Sequence, residues 1–118
     1  MRGLWRVAVV EDSMVPAIEP RDWLLVDPTG VRWPRRGSIV VFREPDTELL
    51  SIKRVAARSG HVTIPEGVLH LEPGEAWLVG DNGGHSRDSR AYGPVPFSRY
   101  VGRAWLRYGP PRRIGRVR

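Results

Sequence analysis

No cysteine occurs in the 118 residues. The fold therefore needs no disulfide, and a reducing compartment suits it. No apolar run approaches the ~18 to 20 residues that cross a bilayer as a helix. The start, Met1-Arg2-Gly3-Leu4-Trp5-Arg6, lacks a long apolar stretch, so a soluble chain without an export signal is expected, cytoplasmic or peripheral at a membrane. There is no internal repeat, no low-complexity block and no pattern for a long helix. Lysine is nearly missing too: of 19 basic residues 18 are arginine, and Lys53 is the only lysine.

Glycine and proline are plentiful, at 13 and 11. That abundance favours short strands joined by many turns. Hydrophobic residues make up 41%, as in a globular protein. The length suits one domain with one modest core. The net charge is +6, and Arg112, Arg113, Arg116 and Arg118 crowd the end. That end reads either as a solvated basic tail or as a segment drawn to an anionic membrane or nucleic acid. The expected division is a catalytic domain over 1–108 and a basic C-terminal tail over 109–118.

Taken in order, residues 4–10 read as a first strand. Glu11-Asp12-Ser13-Met14-Val15-Pro16 follows as a turn. Pro16 biases Val15 towards an extended conformation, and 14–18 is expected as one helical turn. Residues 23–27 form a short apolar run, expected as a buried strand. Residues 38–42 and 49–57 are further strands. Arg58-Ser59-Gly60 is expected as a turn, with 61–64 pairing back, and the segment 65–74 has no assignment. Residues 76–79 and 100–108 complete the strands. The fold expected is all-β, a small closed or partly closed β-barrel of about seven short strands.

Ser13, at the end of a strand, is well placed for an exposed nucleophile, but a serine hydroxyl needs a base. Three assignments stand open. A histidine could serve, and His85 lies near Asp81 and Asp88 in sequence; His61 and His70 fit exposed turns better. Lys53 is the second. Arginine stays protonated and cannot accept a proton, so a lone lysine suggests a role arginine cannot fill. Its flanks are apolar, and burial lowers the pKa of an amine. Against this stands an ordinary surface lysine on a strand. In the third assignment Ser13 merely caps a helical turn. The loop over 80–90 adds Asp81, Asn82, Ser86, Asp88 and Arg90 directly after an apolar strand, the composition of a polar shell that orients a catalytic side chain.

Together these stretches resemble the signal peptidase I family of Ser-Lys peptidases. Ser13-Met14-Val15-Pro16 is similar to its nucleophile box and Lys53-Arg54-Val55 to its lysine box. Gly80-Asp81-Asn82 and Ser86-Arg87-Asp88-Ser89-Arg90 resemble its third box, and Tyr92-Gly93-Pro94-Val95-Pro96 and Val101-Gly102-Arg103-Ala104 continue the likeness. The resemblance implies a serine endopeptidase with Ser13 as nucleophile and Lys53 as general base. It implies that Ser86 orients the lysine, that Asp88 and Arg90 brace the site, and that the N–H of Ser13 donates to the oxyanion. Asp81, Asn82, Met14 and Pro16 would support the site. The implied substrate is a precursor protein with small residues one and three positions before the cleaved bond, and neither cofactor nor metal is implied. Glu11 stands where some members carry serine or glycine. Only 12 residues precede Ser13 and 26 separate Lys53 from Gly80, shorter than in membrane members. A compact branch, the nickel superoxide dismutase maturation proteases, is similar also in the ending Arg107-Tyr108-Gly109-Pro110-Pro111-Arg112.

Three other readings compete. A membrane-surface signal peptidase would act on exported preproteins. A self-cleaving regulator of the LexA type would need a DNA-binding domain and an internal cleavage segment before the serine, and 12 residues hold neither. A non-catalytic basic module would bind nucleic acid or membrane with a steep salt dependence. The endopeptidase reading carries no nucleic-acid partner.

Overall fold

The 23–27 run, Trp-Leu-Leu-Val-Asp, alternates in burial, with Leu24 and Val26 inside. The next strand, Ile-Val-Val-Phe-Arg, is buried at four successive positions, as expected of a strand covered on both faces. These two runs lie within one antiparallel sheet in a computed structural model that describes residues 5–65 and 67–117. Its strands are β1 (Trp5–Ala8), β2 (Trp23–Asp27), β3 (Ile39–Arg43), β4 (Leu50–Ile64), β5 (Gly67–Val79), β6 (Val95–Pro96), β7 (Tyr100–Gly109) and β8 (Gly115–Arg116). A single helical turn, α1 (Ser89–Tyr92), and three short 3-10 turns make up the helical content of the described residues. The all-β expectation holds. The strand order is β1-β2-β7-β3-β4-β5-β6, with β8 pairing β7 off that path, so the described sheet has eight strands and is not closed.

The expected turn at 58–60 is not a turn. β4 runs through it for 15 residues as a long hairpin arm with β5, and His61 faces His70. The register shifts between Arg58 and Gly60, where Ser59 and Gly60 take φ of 56° and 79°. A bulge uses the same glycine and serine chemistry as a turn, so the local signals do not separate the two. The unassigned 65–74 segment supplies much of β5, including buried Leu71. Nor is 14–18 assigned as helix. It is an irregular turn, closed by the N–H of Ile18 donating to Met14 O at 2.9 Å.

Trp33, Val40, Phe42, Val55, Ala76, Leu78 and Val95 form one apolar cluster. Trp33 is part of that core, with its indole N–H donating to Gly74 O, and is not a surface residue for lipid. On the other face of β3, Val9, Met14, Ile18, Leu24, Ile39 and Ala104 form a second. Each large side chain so buried contributes ~1.5 to 3 kcal/mol. Gly102 lies where strands pass closely: a Cβ there would come within 2.5 Å of Val26 Cγ1 and 2.7 Å of Asp27 O.

The last arginines return to this sheet. β8 pairs with Leu106 and Arg107 of β7. Arg113 and Arg107 both donate to the carboxylate of Asp22, which is 1% exposed. Burial would raise the pKa of Asp22, but these arginines and the N–H of Glu19 hold it below its ordinary value.

Candidate active site

After β1, the N–H of Val9 bonds Asp22 O and Val9 O accepts from Arg21, so the chain stays pinned beside 21–22 as it leaves the sheet. Glu11 and Asp12 are exposed, then Ser13 turns inward at 5% exposure. The N–H of Val15 closes the turn on Asp12 O. Met14 and Ile18 are buried in the second cluster and fix the turn from below. Pro16 is exposed, and the Val15–Pro16 peptide is cis.

The loop after β5 fastens this turn from the side. The N–H of Asn82 donates to Ser13 O at 2.8 Å, and Asn82 Nδ2 donates to Asp12 O at 3.1 Å. The N–H of Asp81 points at Met14 Sδ, 3.4 Å away. Asp81 is itself held by Arg54, whose Nε and Nη2 reach its two oxygens at 2.8 and 2.6 Å while Nη1 donates to Gly37 O.

Lys53 lies mid-strand on β4, opposite Val40 of β3. Its neighbours at two-residue spacing, Ser51 and Val55, are buried, and Lys53 is 1% exposed. Its Nζ donates to Ser13 Oγ at 2.9 Å. Burial pushes the amine below its ordinary pKa, while the carboxylates of Glu11, Glu44 and Asp88 pull it back up. A buried amine biased towards neutrality, in contact with a serine hydroxyl, has the geometry and the electrostatics to take that proton.

Asp88 caps α1 and is 1% exposed. It accepts from the N–H of Gly80 at 2.8 Å, from Ser86 Oγ at 2.8 Å, and from Arg90 through its backbone N–H, Nε and Nη2. Burial alone would raise this carboxyl, but those donors bring it down to about 2. Ser86 departs from the sequence expectation. Its hydroxyl is committed to Asp88, and the hydrogen bond of Lys53 goes to Ser13. A charged carboxylate two residues away is a strong acceptor for that hydroxyl, whose oxygen keeps lone pairs able to accept from a donor. His85 does not approach Ser13 as a base; its Nδ1 lies 3.5 Å from Asp12 Oδ2, with the ring exposed.

Beside Ser13 opens a pocket of ≈ 200 Å³, walled by Val7, Val9, Met14, Ile18, Val41 and Ile52. Glu11 stands at its edge. Among the described residues no cluster of three His, Cys, Asp or Glu could hold a metal ion. The contacts that sequence reasoning missed are Arg54 on Asp81, Gly80 on Asp88 and Asn82 on Ser13. Apart from the eight-residue step to Asp88, they join residues far apart in the chain, and no local pattern announces them.

Comparison with known proteins gives the same neighbourhood a name. The family described as "Signal peptidase, peptidase S26" matches residues 4–72 and 61–109, nearly the whole chain. The chain belongs to the signal peptidase S26 family. Among its relatives, mitochondrial inner membrane protease subunit 1 of Xenopus tropicalis is 36% identical over 113 residues, covering 87% of this chain and 68% of that one. Signal peptidase I of Leptolyngbya laminosa is 27% identical over 143 residues, covering 92% and 70%. Subunit 2 of the Saccharomyces cerevisiae mitochondrial inner membrane protease is 30% identical over 118 residues, covering 87% and 67%. The S26 family comprises serine-type peptidases that remove leader segments, so a protein substrate follows from membership. No helix among the described residues is long and apolar enough to cross a membrane.

Proposed function

We propose that this chain is a serine endopeptidase with a Ser13-Lys53 dyad that removes an N-terminal leader from a precursor protein. The observation that carries the reading is the 2.9 Å approach of the only lysine, buried on β4, to Ser13 Oγ. Neutral Lys53 takes the proton of Ser13 as Oγ attacks the scissile carbonyl. The backbone N–H of Ser13 donates to the resulting oxyanion. Lys53 then gives its proton to the departing amine, leaving an acyl-serine. The same amine takes a proton from water, which hydrolyses the ester and frees Ser13. The apolar pocket beside Ser13 holds the side chains that precede the cleaved bond, and its small volume favours small ones. Asp88 and Arg90 brace the loop and transfer no proton, because a carboxylate held near 2 stays ionised.

Lys53→Arg tests this directly. Arginine keeps the charge but cannot accept a proton, so the variant is expected to be as inactive as Lys53→Ala on a peptide with alanine one and three positions before the bond. Substantial turnover by Lys53→Arg would place the base elsewhere. The nickel superoxide dismutase precursor is the first natural substrate to test, on the similarity of the Arg107–Arg112 ending. A second reading, action at a bilayer surface, is favoured by Val10 and Leu50, 85% and 43% exposed at the rim of the same pocket. Co-sedimentation with lipid vesicles, lost on Val10→Ser with Leu50→Ser, checks it.

A further inference from the structure

Beyond the apolar pocket, the surface changes character. Gly80, where an added Cβ would lie 2.8 Å from Ser13 O, lines a second concavity of ≈ 710 Å³ together with Arg90, Arg36 and Arg58. Arg36 and Arg58 also line a third, of ≈ 540 Å³, which adds Arg35 and Arg103. The two adjoin at Arg36 and Arg58, and Gly80 sets one end of the first beside the Ser13 turn. Among the described residues no aspartate or glutamate lines either one, while Asp27 shares a neighbouring concavity with Arg58 and Arg103.

Some arginines of this molecule are matched and others are not, Arg6, Arg21, Arg32, Arg43, Arg112 and Arg116 being in no ion pair among the described residues. Arg54, Arg87, Arg90, Arg99, Arg107 and Arg113 each hold a carboxylate. Among the described residues Arg35, Arg36, Arg58 and Arg103 form no ion pair, and Arg58 spends one N–H on Trp33 O. Like charges gathered in one concavity repel each other, and a ligand carrying carboxylates relieves that repulsion. A forked guanidinium also matches a carboxylate in shape.

We propose that this arginine groove binds aspartate and glutamate side chains of the substrate in the segment that follows the scissile bond. The inference rests on the endopeptidase reading, in which the apolar pocket takes the residues before the bond. A polypeptide leaving that pocket past Ser13 meets Gly80 and then the arginines. The groove makes the enzyme selective for precursors whose mature portion begins with an acidic stretch.

The test uses two peptides identical up to the cleaved bond, one followed by Glu and Asp, the other by Gln and Asn. Wild type is expected to favour the acidic peptide by about tenfold in kcat/KM at low salt, with the preference collapsing near 1 M salt. Arg36→Gln with Arg103→Gln should bring the ratio close to one while leaving turnover of the neutral peptide unchanged. A separate arm measures anisotropy of the labelled acidic leaving segment on Ser13→Ala, which needs no catalysis. Binding is expected to weaken by a similar factor in the arginine variant. If neither peptide is cleaved, the endopeptidase reading fails, and the binding arm still decides the groove. Equal kcat/KM for both peptides, or a preference that survives the arginine substitutions, overturns the inference. So does arginine-dependent binding to anionic lipid vesicles without any peptide preference.

Discussion

Gly80→Ala separates the position of the nucleophile from its chemistry. No positive φ is involved, so the substitution acts by volume alone. The added Cβ would lie 2.0 Å from Ser86 Oγ, 2.6 Å from Ser86 Cβ and 2.8 Å from Ser13 O. The hydroxyl could rotate away. The Ser86 Cβ and the Ser13 carbonyl are bound to backbone, and that carbonyl already accepts from Asn82. Reaching ordinary contact, ~3.5 Å, demands movement of close to 1 Å in the loop or in the nucleophile turn. Overpacking of this kind costs ~1 to 3 kcal/mol of stability. A displacement of ~1 Å at a reacting group costs on the order of 100-fold in rate. Steady-state cleavage and thermal unfolding, measured on the same preparation, should therefore show a large fall in kcat and a modest fall in Tm. Gly102→Ala is the control. Its Cβ is equally crowded, at 2.5 Å from Val26 Cγ1, but between strands away from Ser13. It should lower Tm as much and leave the kcat of the folded enzyme intact. Wild-type kcat in Gly80→Ala, or equal kcat losses in both variants, would refute the idea that this loop sets the position of Ser13.

Glu11→Gln should move the pH profile. With Lys53 as the proposed base, activity needs its neutral form, and the Glu11 carboxylate raises the pKa that burial lowers, so its removal shifts the rising limb of kcat/KM to lower pH; a limb that stays put or moves up would show that Glu11 does not act on the amine. Asp88→Asn should destabilise the fold. With the carboxyl depressed from 3.8 to about 2, its stabilisation, about 2 kcal/mol, is present above pH ~4 and lost as pH falls towards 2, so urea unfolding of the variant should lack that acid-side loss. Arg113→Gln removes a donor from buried Asp22 and should cost ~1 to 3 kcal/mol by the same measurement, with peptide cleavage by the folded enzyme unchanged.

The strands over 23–27, 39–43 and 100–109 were legible because burial leaves a direct mark on residue type. The approach of Lys53 to Ser13 was legible for a different reason: a single lysine among arginines stands out without any structural knowledge. Ser59-Gly60 misled because a strand bulge and a reversal of direction need the same backbone freedom. The 67–75 half of β5 was hidden by Pro73, Gly74 and alternating charge on an arm whose outer residues face solvent. Ser86 was assigned to the lysine by resemblance, and its hydrogen bond to Asp88, two residues on, was not anticipated. Asp22 and Arg113, 91 residues apart, meet only once the sheet exists.

The fastening of Ser13 by Asn82 has a consequence in time as well as in space. Both members of the proposed dyad precede the Asn82 loop in the chain, with Ser13 and Lys53 only 40 residues apart. The groups that hold the nucleophile turn, Gly80 to Asn82 and the Asp88 that anchors Gly80, emerge later. A growing chain that already carries serine and lysine thus lacks the clamp that sets their geometry. On the proposed dyad, cleavage therefore waits for the loop after β5 to dock on the Ser13 turn.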